Sequence, residues 1–117
     1  MSTLAAVTTH YYEDLATKGD FAGIPMADDL RFGGPIHTYS GGDRYRRDCG
    51  QLAAMVQNIE IRYQFVEGDQ VHTVYDIDLG LPSGPIASSE TLTFDDGVLV
   101  AADLIIDSTP LRRPTEP

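Results

Sequence analysis

SSETLTFDDGVLVAADLIID, residues 88–107, decides how the rest of the chain reads. Two extended arms flank Asp96-Gly97, a dipeptide that readily supplies the φ > 0 positions of a tight hairpin. Side chains alternate along a strand, so Ile86, Ser88, Glu90, Leu92 and Phe94 share one face of the first arm. Ala87, Ser89, Thr91 and Thr93 share the other. The apolar face is therefore the one that carries Glu90. A lone charge is costly to bury, so this carboxyl must be neutral, be paired, or line a cavity. Burial would raise its pKa above the ordinary value of about 4.3 and would bring a hydroxyl within its reach.

Upstream of that hairpin the pattern is also two-residue. Ile59, Ile61, Tyr63 and Phe65 face one way, and Glu60, Arg62 and Gln64 the other. Gly68-Asp69 turns the chain, and Val71, Thr73, Tyr75, Ile77 and Leu79 form the next apolar face. LPSGP at 81–85 is a loop. Before Asn58 the period is helical. Leu4, Val7, Tyr11 and Leu15 predict a helix over about Thr3 to Lys18, ended by Gly19. FAGIPMADD, following Asp20, predicts a turn or two of helix limited by Pro25. Leu30 to Phe32 is a short strand broken by Gly33-Gly34-Pro35, and Ile36 to Tyr39 continues extended. A second long helix follows Gly41-Gly42-Asp43, with Ser40 or Asp43 as its cap and Tyr45, Cys49, Leu52 and Val56 as its buried stripe. Helices gathered before a strand meander predict an α+β fold. Its mixed or antiparallel sheet curves strongly into a cone, and the helices pack on the concave face around an apolar pocket. One domain is expected over 1–109, with a polar, proline-rich tail at 110–117.

The 117 residues include 8 Lys and Arg against 18 Asp and Glu, a formal net charge of -10. That charge repels phosphate backbones and anionic membranes, so neither nucleic acid nor membrane is an expected partner. Cys49 is the single cysteine, which permits no internal disulfide and suits a reducing cytoplasm. His10, His37 and His72 stand apart, so no metal site has ligand spacing, and no cofactor is called for. No secretory leader or bilayer-spanning run is read in the chain.

Element order and several residues together resemble the nuclear transport factor 2-like superfamily, and within it the SnoaL-like and ketosteroid-isomerase-like proteins. The matching features are Tyr12 eight positions before Asp20 in YEDLATKGD, the Ala27-Asp28-Asp29 step, and the run from Phe94 through Asp96-Gly97 to Asp107. The resemblance spans roughly residues 4–109. It implies the cone fold and pairing of two copies through the convex face of the sheet. It also places Tyr12 at the family's oxyanion tyrosine and Glu90 at its neutral acid, the arrangement worked out for the steroid isomerase. That enzyme's base belongs just before the loop proline, where this chain has Gly34, so steroid isomerisation by that route is not expected. The epoxide hydrolases of the same fold need an Arg-x-Asp on the middle strand, whereas Tyr75-Asp76-Ile77-Asp78 has no arginine. Their second aspartate falls at Leu104, one residue from Asp103.

The expected site therefore comprises Tyr12 and Glu90 polarising a ligand oxygen, with His37 at the pocket mouth as a candidate base. Phe32, Tyr63, Tyr75, Leu92 and Leu104 are its expected lining. A tyrosine at such a place as Tyr12 is more often simply a core residue whose hydroxyl finds a partner, and a lone loop histidine such as His37 is more often incidental. Asp76 and Asp78 are read as solvated or facing a second copy. Arg44, Arg46 and Arg47 are read as the solvated face of the second long helix. Two functions follow: a lyase, isomerase or cyclase for a polyketide-, terpene- or steroid-like molecule, or a non-catalytic binding or dimerisation module.

Overall fold

The computed structural model describes residues 4–19 and 21–109. Asp20 and the tail at 110–117 lie outside the described residues. Helix α1 spans Leu4–Thr17, and β1 follows at Met26–Gly33, β2 at Thr38–Ser40 and α2 at Gly42–Met55. Four long strands complete the chain: β3 Asn58–Glu67, β4 Gln70–Asp78, β5 Ile86–Asp95 and β6 Val98–Ile106. They form one open six-stranded sheet in the order β2-β1-β6-β5-β4-β3. Only β1 and β6 pair in parallel; the other neighbours are antiparallel.

Helix α1 ends in a Schellman arrangement. Lys18 takes the left-handed conformation at φ 61, and Gly19 N–H donates back to the Asp14 carbonyl at 2.8 Å. Gly19 is needed for a different reason from the one its position suggests, because a Cβ there would meet the Asp14 carboxylate at 2.3 Å. The short helix expected over 21–29 is absent. Ile24 N–H bonds the Phe21 carbonyl in a turn, and β1 begins at Met26. The extended stretch therefore starts well before Leu30. Helix α2 is capped by Gly41 at φ 140, with no side-chain cap, so neither Ser40 nor Asp43 serves. Gly42 allows α2 to lie on β1, since a Cβ there would come within 2.2 Å of the Ala27 carbonyl oxygen.

Both helices cover the same face of the sheet, α1 against β3 and β4 and α2 against β1. That face carries Val71, Tyr75 and Ile77 from β4, Ile86, Leu92 and Phe94 from β5, and Leu99 and Ala102 from β6, all buried. The β5–β6 hairpin closes through Asp96 at φ 52 and Gly97 at φ 81, as its Asp-Gly pair predicts. Strand β3 departs from simple alternation. Its register against β4 shifts between Ile61 and Tyr63, with Arg62 as the extra residue. A one-residue bulge turns every later side chain to the opposite face. Ile59 and Ile61 therefore pair with Ile77 and Tyr75 on the helix side. Tyr63 and Phe65 pair with Val74 and His72 on the outer side. No helix among the described residues is long and apolar enough to cross a membrane.

Candidate functional site

Glu90 lies in the middle of β5, opposite Thr73 of β4 and Leu104 of β6, on the face beneath the helices. Only 3% of it is exposed. Its Oε1 accepts a hydrogen bond from the Tyr12 hydroxyl of α1 at 2.8 Å. The Tyr45 hydroxyl of α2 also acts on it and favours its charged form. Burial pushes the Glu90 carboxyl up from 4.5 to about 7, while the Tyr12 and Tyr45 hydroxyls hold it down and the charge of Asp103 adds slightly to the rise. Desolvation wins, because the two hydroxyls replace only part of the water a carboxylate loses.

The hydroxyls form ordered relays. Gln64 Nε2 can only donate, and it donates to Thr73 Oγ1 at 3.0 Å. Thr73 in turn acts on the Tyr12 hydroxyl, whose proton points to Glu90. On the other side Tyr11 and Tyr45 hydroxyls are 2.7 Å apart, and the Cys49 sulfur lies 3.7 Å from Tyr11. Burial first, and then the charge of Glu90, raises the phenols of Tyr12, Tyr45 and Tyr75 well above 10. Tyr11 is raised likewise, by burial and then by Cys49 ahead of Glu90. Burial also pushes the Cys49 thiol up to about 12, so it is no nucleophile.

A cavity of about 330 Å³ opens beside this cluster. Glu90, Tyr11, Tyr45, Cys49, Tyr75 and Ile77 form its buried, inner lining, with Leu104 half-buried beside them, and the more exposed Phe32, His37, Tyr39 and Arg44 line it toward solvent. The mouth is an aromatic stack. Phe32 packs on Tyr39 at 5.2 Å and on Tyr45 at 5.6 Å, and His37 stacks on Tyr39 at 5.6 Å. The Arg44 guanidinium lies 3.9 Å from the Tyr39 ring centre and 3.8 Å from the Asp48 carboxylate.

Of the residues expected at the site, Glu90, His37, Phe32, Tyr75 and Leu104 border the cavity. Tyr12 is buried behind Glu90, touching it and the Tyr75 ring at 5.0 Å between centroids. Leu92 is buried in the core and does not line the cavity. Tyr63 is a correction: it is 58% exposed on the outer face, because the bulge at Arg62 reverses the strand there. Asp103 points outward opposite Thr91, and Asp76 is held by Arg62 through two bonds of 2.8 and 2.7 Å. Arg46 is not part of a solvated face: it donates to the Phe21 and Ile24 carbonyls and pins the turn after α1. Sequence reading missed Tyr11, Tyr45 and Cys49 as site residues. All three sit on helix stripes that the periodicity marks as buried, but nothing in that periodicity says which strand residue they meet.

Solved structures match this architecture closely. An NTF2-like protein of unknown function from Cytophaga hutchinsonii has a TM-score of 0.79 at 22% identity, over 95% of this chain and 96% of its own. A steroid delta-isomerase from Pseudomonas aeruginosa matches at 0.73 and 17%, over 90% and 80%. A protein assigned as a polyketide cyclase from Sinorhizobium meliloti matches at 0.71 and 15%, over 84% and 92%. No protein-family model and no curated protein matches the sequence. The chain has the nuclear transport factor 2-like fold, and identities this low establish the fold alone.

Proposed function

We propose that the cavity binds a small hydrophobic molecule and that Glu90, held by Tyr12, engages one oxygen of that molecule at the inner end. The observation that carries this reading is a buried carboxyl, raised to about 7, that borders a cavity lined mainly by aromatic and aliphatic side chains. In its protonated state Glu90 offers an O–H to a ligand carbonyl or hydroxyl, and Tyr45, then released from holding the carboxylate, can turn its own O–H to the same oxygen. Two donors on one oxygen would stabilise charge developing there, which suits a lyase, isomerase or cyclase step. Size narrows the ligand. A dry cavity of about 150 Å³ holds one benzene ring, so about 330 Å³ suits a two-ring molecule and is small for four fused rings.

The fold likeness to a steroid isomerase and a polyketide cyclase supports an oxygen-bearing ring substrate without naming one. The binding-module reading rests on Gly34, which stands at the cavity wall where the isomerase pattern has its base. His37, three residues on, is the titratable group nearest in sequence that borders the same cavity. A two-ring ketone, 2-tetralone, separates the readings. Calorimetry should show binding that Leu104→Trp weakens at least about tenfold by filling the cavity. Exchange of its α-protons in heavy water, faster with protein and slowed by His37→Ala, indicates catalysis. Binding without exchange indicates the module, and no binding at all removes the pocket reading.

A second copy of this chain is the proposed partner for the outer face of the sheet. Tyr63 and Phe65 of β3 and Ile105 of β6 stand there 58%, 53% and 74% exposed, with Val74 of β4 opposite Tyr63. Sedimentation at micromolar concentration should give twice 12.8 kDa, and a monomer after Tyr63→Glu. A single 12.8 kDa species for the unaltered chain would refute it.

A further inference from the structure

Among the described residues no lysine, arginine or histidine pairs with Glu90; the ion pairs lie at His10, Arg44, Arg62 and His72. What reaches Glu90 instead are hydroxyl protons. Each phenol has one O–H. If Tyr45 donates to Glu90, then Tyr11 must donate to Tyr45. On the other side Gln64 donates to Thr73, and Tyr12 donates to Oε1. Hydroxyls from both helices thus treat the carboxyl as an acceptor, Tyr12 from α1 and Tyr45 from α2. The counter-charge is what the site lacks.

The rest of the cavity is built for a cation. Phe32, Tyr39, Tyr45 and Tyr75 border it, and aromatic rings attract an organic cation within about 6 Å of a free face. One of these rings already holds a cation at the mouth, where Arg44 covers Tyr39 and is balanced by Asp48. We propose that the cavity is also a receptor for ring-bearing tertiary amines, with the ammonium N–H donating to Glu90 and its alkyl groups lying against the aromatic wall. The tertiary class follows from donor count. A tertiary ammonium has one N–H, which a free lone pair of the Glu90 carboxylate satisfies. A primary ammonium brings three, more than the lone pairs Glu90 has free once its hydroxyl partners are counted, so at least one N–H must go elsewhere. The proposal rests on the cavity being a ligand site. It adds to the oxygen-ligand reading a second ligand class, chosen by the protonation of one residue.

The groups facing Glu90 are Tyr11 and Tyr12 on α1, Tyr45 and Cys49 on α2, Tyr75 and Thr73 on β4, and Leu104 on β6. Asp103 acts on it from the outer face, and Arg44, Asp48 and His37 stand toward the mouth. The phenols and the thiol stay neutral at working pH, so Glu90 is the group inside that titrates.

The test is calorimetric titration of the full chain with a matched pair, N,N-dimethyl-2-aminotetralin and 2-tetralone. An aliphatic ammonium stays charged at both about pH 8 and about pH 5.5. Protonating Glu90 leaves the amine-competent form at a few per cent at the lower value, so the amine's affinity should fall about 30-fold. The ketone's should hold or rise. Glu90→Gln should remove amine binding at about pH 8 while 2-tetralone still binds, and primary 2-aminotetralin should bind at least about tenfold more weakly than its dimethyl form. If Glu90→Gln does not fold, the pH arm on the unaltered chain decides. An amine that binds no tighter than the ketone at about pH 8, or equally at both pH values, overturns the proposal and leaves the oxygen-ligand reading standing. Failure of both ligands to bind overturns both.

Discussion

Glu90 and Asp76 are carboxylates on neighbouring strands of one sheet, and their surroundings are opposite. Asp76 faces outward and is gripped by the Arg62 guanidinium through two bonds, a planar fork on a planar acceptor at the protein's surface. Glu90 faces the helices, meets no cation among the described residues, and is held only by phenols. The difference is one of face, set by whether a residue sits at an odd or even place in a strand. It teaches that the sheet separates two kinds of carboxylate: one ion-paired and half-buried on the outer face, one desolvated and able to change charge near neutral pH.

The largest expected effect comes from the packing that creates the inner face. Leu92 lies two residues from Glu90 on the same side and is 1% exposed. Leu92→Ala should cost about 2–5 kcal/mol in urea unfolding, because a cavity remains beside the relay. A cost near zero would mean that this face is not the core. Next in size is Glu90 itself. Its folded-state pKa is raised from 4.5 to about 7. The native chain then holds that proton longer than the unfolded chain. The contribution to stability is fully present below about pH 4.5 and is lost as pH rises through about 7. Relative to unaltered protein, Glu90→Gln should gain on the order of 3 kcal/mol above that range and differ little at about pH 4. A loss of stability at about pH 8 would show that the ionised carboxylate is the preferred partner of the relays. The smallest effect belongs to the outer face. Arg62→Ala should change stability slightly, and less still in high salt, since exposed ion pairs are screened. A large loss would show that the bulge at Arg62 depends on the pair.

Much of this contrast is legible in the sequence. The alternation Ile86, Ser88, Glu90, Leu92, Phe94 puts the acid on the buried side, and Asp96-Gly97 closes the hairpin. Tyr63 was legible only in part. Its strand alternates correctly until Arg62, and the bulge that reverses it leaves no mark in residue type. Strand β1 is hidden differently, since MADD carries no apolar alternation, and the strand is placed by pairing with β6 at Met26 and again from Arg31 to Gly33. The phenol relay is beyond periodicity altogether. Tyr11, Tyr45 and Cys49 are legible as buried, but their meeting at Glu90 depends on how α1 and α2 cross the sheet.

The measurement that tests the account most directly is a carboxyl-selective NMR titration of Glu90 in the full chain, with and without Tyr12→Phe. The account predicts a midpoint near 7 in the unaltered protein. It predicts a higher midpoint in the variant, because the lost hydroxyl bond was holding the carboxylate form in place. A midpoint at the ordinary glutamate value of about 4.3, unmoved by Tyr12→Phe, would contradict it and leave the cavity without its acid.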